Sequence, residues 1–156
     1  MLFRSSANPT AGFSIVTLTG PSSGAFTAGH GLGVAPSMII AKVRTTSGGW
    51  PVYHAAKGPT GAVQLEGTSA FNVTSGYWND TAPTSTVFTS AIGWGAVPQV
   101  FYCFAAIAGY SAFGSYTGNG SSDGVFIYLG FRPKFIMFKI TSSTGDWQMW
   151  DASRDP

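Results

Sequence analysis

Charge is scarce in this chain. Charged residues make up 9% of its 156 positions, against about 25% in an ordinary soluble domain. A charge-rich disordered tail would also be poor in aromatics, and here aromatics reach 15%, so that class is excluded. A coiled coil is excluded because the sequence is not built from Ala, Glu, Lys, Leu and Arg. Eight basic residues against six acidic ones give a net charge of +2. The bases are scattered, not gathered into a stripe, which argues against a nucleic-acid partner.

No run of about 18 apolar residues occurs, so no membrane insertion is expected. The opening Met1-Leu2-Phe3-Arg4, followed by Ser5-Ser6-Ala7-Asn8-Pro9, lacks the apolar core of a signal peptide. Cys103 is the single cysteine, which leaves no disulfide framework and no thiolate metal cluster. It sits in the apolar run Val100-Phe101-Tyr102-Cys103-Phe104-Ala105 and reads as a buried, inert thiol.

Stretches long enough for a helix are scarce, a typical one needing about ten to fourteen residues. The longest segments free of Gly and Pro are Ser37–Ser47 and Lys134–Thr144. Both are rich in Ile, Phe, Val and Thr, which favour strands. What is present instead is glycine and turn chemistry: 21 Gly and 9 Pro. Expected strands are Ser14–Thr19, Ala25–His30, Met38–Thr45, Trp50–His54, Val63–Glu66, Ser85–Thr89, Val100–Ile107, Val125–Tyr128, Phe135–Thr141 and Trp147–Asp151. Turn clusters such as Gly20-Pro21-Ser22-Ser23-Gly24 and Gly58-Pro59-Thr60-Gly61 separate them. Many short strands at near-regular spacing predict an all-β, antiparallel sandwich of jelly-roll or concanavalin A-like type. Met38-Ile39-Ile40-Ala41 and Phe135-Ile136-Met137-Phe138 do not alternate. Each is expected to be buried on both faces, inside the domain or against another subunit.

The most informative feature is an internal repeat. Ala11-Gly12-Phe13-Ser14 recurs as Ala108-Gly109-Tyr110-Ser111. Gly33, Pro36, Ile39, Lys42, Gly48, Trp50 and Ala55 recur as Gly130, Pro133, Ile136, Lys139, Gly145, Trp147 and Ala152, at a constant offset of 97 residues. The period is too long for a solenoid. It predicts tandem sandwich units: a first over 11–107, and a second that starts at 108 and is cut off at 156. The chain is then expected to be a segment of a longer polypeptide. The alternative is one sandwich domain over 1–156 containing two related hairpins.

Few constellations carry chemistry. The acids are Glu66, Asp80, Asp123, Asp146, Asp151 and Asp155. Glycoside hydrolysis uses two facing carboxylates, and no Glu-x-Asp-x-Glu pattern supplies them. Asp146 and Asp151 would point to opposite faces of one strand. The only histidines, His30 and His54, have no Gly-x-Ser-x-Gly elbow to serve and no zinc spacing. His54 aligns with Asp151 in the repeat, so that position tolerates different chemistry. Asn119-Gly120-Ser121-Ser122-Asp123-Gly124 echoes the start of a calcium loop, but its twelfth position is Gly130, not Glu. A plain hairpin turn is the better reading, with Ca²⁺ on Asn119, Asp123 and carbonyls the lesser one. No enzyme activity, metal or cofactor is expected.

Aromatics remain. Trp50 and Trp147 read as core. Tyr53 and Trp150, on the opposite faces of their strands, are candidates to stack on sugar rings or on a neighbouring subunit. Trp78 and Trp94, in loop-like segments, are further candidate ligand platforms.

Tyr110-Ser111, Gly114-Ser115-Tyr116-Thr117-Gly118-Asn119-Gly120-Ser121, Gly130-Phe131-Arg132-Pro133 and Asp151-Ala152-Ser153-Arg154 together resemble a domain of tailed-bacteriophage structural proteins. So do Trp78-Asn79-Asp80-Thr81-Ala82-Pro83-Thr84 and Tyr102-Cys103-Phe104-Ala105. These proteins are usually labelled tail-fibre or concanavalin A-like lectin-domain proteins and are common in marine phages. The similarity runs from Ala11 onward. It implies a β-sandwich on the surface of a virion, carried within longer chains. The expected role is structural and non-enzymatic, in a fibre, spike or capsid decoration. The expected partners are other copies of the chain, as a homotrimer in a fibre, and other virion proteins. A carbohydrate-binding adhesin for a host-surface glycan is the alternative, and a polysaccharide depolymerase a remote one.

Overall fold

The computed structural model describes residues 3–154. Among them every regular element is a strand and no helix occurs. The chain is all-β, and its strand pairs are antiparallel. The strands are β1 (Phe3–Asn8), β2 (Phe13–Thr19), β3 (Phe26–Gly29), β4 (Met38–Val43), β5 (Pro51–His54), β6 (Gly61–Gln64), β7 (Asn72–Val73), β8 (Val87–Ser90), β9 (Pro98–Phe104), β10 (Phe135–Lys139) and β11 (Trp147–Asp151). Seven form one sheet in the order β1-β2-β9-β4-β5-β6-β7, while β3–β8 and β10–β11 are two-stranded ribbons.

Two faces of the sheet carry two apolar clusters. On β2, Ser14, Val16 and Leu18 are buried and the residues between them are half-exposed, the period of two that a pleated strand imposes. Val16 and Leu18 join Ile39 and Ala41 of β4 and Phe101 and Cys103 of β9 in the first cluster. The β3–β8 ribbon closes it with Ala28 and Phe88. The Phe88 and Phe101 rings lie 4.8 Å apart, and burying each is worth roughly 1.5–3 kcal/mol. Met38 of β4, Val52 and Val63 form the second cluster on the other face, with Ile40 and Phe104 packed against it. The unbroken apolar run of β4 is thus buried on both faces within one chain.

Gly12 fixes how β2 enters the sheet. Its φ is +64°, its carbonyl accepts the Ala105 amide at 2.7 Å, and a Cβ there would lie 2.5 Å from the Ala105 carbonyl oxygen. Only glycine combines that left-handed backbone with that approach.

The β10–β11 hairpin docks on the second cluster through Met137 and Trp147. Trp147 Nε1 donates to the Gln64 carbonyl at 2.9 Å. The Gly145 amide donates to the Thr68 carbonyl at 2.8 Å, and the Phe71 amide to the Thr141 carbonyl at 3.0 Å. This hairpin matches β4–β5 residue for residue. Met38, Ile39 and Ile40 face His54, Tyr53 and Val52; Phe135, Ile136 and Met137 face Asp151, Trp150 and Met149. In both, the lysine near the end of the first strand ties down the turn: Lys42 Nζ donates to the Gly48 carbonyl, and Lys139 Nζ to the Gly145 carbonyl at 2.7 Å.

Three expectations need correction. Val125–Tyr128 is not a strand; its side chains are exposed, and no described strand runs beside it to supply hydrogen bonds. Phe135 and Ile136 are exposed, not buried on both faces: Ile136 points away from the Met137–Trp147 face that meets the sheet, and Phe135, on that face at the open end of the hairpin, does not reach the second cluster. Trp50 is only half-buried, with the Lys42 ammonium 5.2 Å from its ring; it lies just before β5, short of the second cluster that buries Val52 on the same side. β1 and β7 were not expected at all.

Candidate functional site

Of the four aromatic candidates, two are walled into the core. Tyr53 is 4% exposed and Trp78 1%. Their rings meet edge to face at 5.8 Å and 73°. A sugar platform needs an open ring face, and neither has one. The segment after Trp78 turns it inward: Asn79 and Asp80 both take positive φ, 53° and 48°, which Asn and Asp tolerate better than most residues. The Thr81 amide closes this turn on the Trp78 carbonyl, and the Ala91 amide ties it to the Tyr77 carbonyl. Trp94 is half-buried against the same cluster. Trp150 alone is open, at 47% exposure, with the Phe138 ring 5.1 Å away.

Both histidines, Asp151 and Cys103 are spent on structure. His30 is fully buried. Its Nδ1 accepts the Leu32 amide at 3.2 Å, so Nε2 carries the proton and donates to the Thr84 carbonyl at 3.1 Å. Every polar atom of a neutral imidazole is satisfied, and burial holds its pKa below the ordinary value. His54 Nδ1 accepts the Ala56 amide at 3.2 Å, and burial lowers its pKa too. Asp151, at the matching place, accepts the Ser153 amide at 3.0 Å. The two residues share one task, accepting the amide two residues on, which explains why imidazole and carboxylate interchange there. Asp151 also takes Arg154 Nε at 2.5 Å, and that hydrogen bond leads the causes that hold its carboxyl below the usual range. Burial pushes the Cys103 thiol up to about 12, far from a nucleophile's range.

In the glycine-rich loop, Asn119 Nδ2 donates to the Asp123 carbonyl at 2.9 Å, and Asn119 Oδ1 accepts the Ser121 amide at 3.1 Å. Its side chain organises the turn. No group of three His, Cys, Asp or Glu suited to a metal occurs among the described residues. Asp155 lies outside those residues.

The distinctive surface is apolar and lies after Ala108. Among the described residues, the exposed large apolar side chains before that point are Phe3, Val34 and Val73; eleven more follow it. They include Val125, Phe126, Ile127 and Tyr128 of the unpaired segment and Phe135, Ile136, Met149 and Trp150 of the hairpin. A hollow of about 350 Å³ adjoins this region, lined by Phe13, Phe104, Tyr110 and Phe113 among others. Contiguous exposed apolar patches mark interaction sites, and on the hairpin Ile136 and Trp150 stand side by side across the two strands. Sequence reasoning found Trp150. It missed Ile136 and Phe138, which it assigned to a buried strand.

Fold and surface together define an all-β protein. The chain belongs to a family of domains of unknown function, DUF7483, whose model matches residues 3–156. Neither a curated protein nor a solved structure matches it.

Proposed function

We propose that this chain is a non-enzymatic structural protein of a phage virion, a fibre, spike or capsid-decoration component built from tandem β-sandwich units, and that it works by association. The phage assignment rests on the sequence resemblance. The observation that carries the assembly role is the uncovered apolar face of β10–β11. A hairpin with the same register, the same lysine tie and the same flanking left-handed glycines (Gly12 and Gly33, then Gly109 and Gly130) supports a first unit over 11–107 and the beginning of a second from 108. The β3–β8 ribbon closing one face of the large sheet supports the sandwich reading of the first unit. The second unit leaves in the open what the first buries. Other copies of the chain, as a homotrimer in a fibre, and other virion proteins are the partners this surface fits.

Gold labelling of intact phage with an antibody to this chain tests the location. Label on fibres, spikes or head surface is expected. Particles without label, from a host culture that makes the protein, would refute it. A second reading, a lectin-like adhesin for a host-surface glycan, is favoured by Trp150 alone, whose ring stands open beside Phe138. It predicts saturable glycan binding that Trp150→Ala removes without unfolding the protein.

A further inference from the structure

The matching hairpins differ in what lies against them, and the difference says what is missing. In the large sheet, β4 has two neighbours. On one side is β5; on the other is β9, with Met38, Ile39, Ala41 and Val43 opposite Phe104, Cys103, Phe101 and Gln99. The β10–β11 ribbon has the equivalent of the β4–β5 pairing and, among the described residues, no strand on the far side of β10. The backbone edge of β10 is therefore open, and an open edge is a template for another strand.

The side chains repeat the message. Ile39 is 0% exposed; Ile136, in the same register position, is 41%. Tyr53 is sealed under Trp78, and its counterpart Trp150 is open. Ile136, Phe138 and Trp150 lie on one face of the ribbon, away from Met137 and Trp147, which are already docked. No charged side chain stands on that face within the ribbon; its one polar member is Gln148. An unpaired edge and an uncovered apolar face thus coincide at one place. Strand addition uses both at once, the backbone giving affinity and alternate side chains giving specificity.

We infer that the free edge of β10 is a docking site for an extended segment with the chemistry of β9: a strand antiparallel to β10, with apolar side chains at alternate positions flanking Ile136 and Phe138. The occupant is defined by the β4–β9 interface of the same molecule, whose geometry the β10 edge reproduces. The inference rests on the tandem-unit reading proposed above.

The test is hydrogen exchange on the full chain, read by mass spectrometry. The probe is a synthetic peptide of residues 97–105 with Cys103 replaced by Ser and lysines added for solubility. Saturating peptide is expected to slow exchange of the β10 amides at least tenfold, to leave β1 and β7 unchanged, and to lose its effect on an Ile136→Asp chain and when its sequence is scrambled. Ile136 is exposed, so that variant folds. Two results would overturn the docking site: no slowing at β10, or equal slowing at the β1 and β7 edges. If the tandem-unit reading itself is wrong and the chain is one cooperative sandwich, β10–β11 amides lose protection at the same denaturant concentration as β4–β5 before any peptide is added; as the start of a second unit they open first. A failure of docking alone leaves their mutual pairing protected and indifferent to the peptide.

Discussion

Ile39 and Ile136 occupy the same place in matching hairpins, and so do Tyr53 and Trp150; in each pair one is sealed and the other open. The local design does not account for this. Both hairpins keep the register, the lysine tie to the turn carbonyl and an acceptor side chain after the second strand. What differs is the company. β4 lies against β9 and beneath Trp78 and Phe88, which come from far along the chain. β10 has no such partners. A hairpin's own sequence can thus fix its pairing and leave the fate of each face to distant segments.

Substitutions at the matched positions should separate the two environments, the largest effects falling in the first hairpin. Tyr53→Ala and Trp78→Ala empty a closed core and should each cost about 3–5 kcal/mol in denaturant unfolding. Trp150→Ala removes an open ring and should cost less than about 1 kcal/mol. Equal losses at Tyr53 and Trp150 would mean that the second hairpin is as enclosed as the first.

Glycines sharpen the comparison at another matched pair of positions. Both Gly12 and Gly109 have positive φ, 64° and 75°. An added Cβ meets the Ala105 carbonyl oxygen at Gly12 and nothing within 4 Å at Gly109. Gly109→Ala should cost about 1–2 kcal/mol, the backbone term alone, and Gly12→Ala clearly more. Thermal unfolding of the two variants decides this.

The lysine ties should rank the other way. Lys42 Nζ donates to one carbonyl, that of Gly48. Lys139 Nζ reaches the carbonyls of Thr68, Ile140 and Gly145, and so also fastens the hairpin to the sheet. Lys139→Met should cost about 1 kcal/mol and loosen β10–β11 in hydrogen exchange; Lys42→Met should cost less.

The smallest expected effect is a dependence on pH. His30 and His54 have folded pKa values held below the ordinary 6.5 by burial. As pH falls through 6.5, the unfolded chain takes up protons that the folded chain refuses, so stability should fall with pH between that value and the lower folded pKa values. Above 6.5 this contribution is flat. A denaturation midpoint that stays constant from pH 7 to 5 would contradict the buried, neutral His30.

The strands were legible because punctuation and β-branched runs mark them directly. The exclusion of helices followed from the spacing of Gly and Pro. The repeat foretold the matching hairpin positions. That Tyr53 is sealed and Trp50 only half-buried was not legible. Both faces of the strand meet an apolar cluster, Tyr53 the first and Val52 the second, and Trp50 looks as apolar as Tyr53. The difference is made by Trp78 and Phe88, whose approach no local pattern encodes. β1 was hidden for the opposite reason: Arg4, Ser5, Ser6 and Asn8 are ordinary for an exposed edge strand and carry no apolar alternation. Val125–Tyr128 has a strand's composition and lacks a neighbour to pair with.

The most direct measurement is native-state hydrogen exchange of the chain alone, resolved to β4–β5 and β10–β11. The account predicts that β4 and β5 amides exchange only through global unfolding. It predicts that the amides shared between β10 and β11 are protected, while those on the free edge of β10 exchange orders of magnitude faster. Uniform protection across both hairpins would show that the second is already covered and would contradict the account.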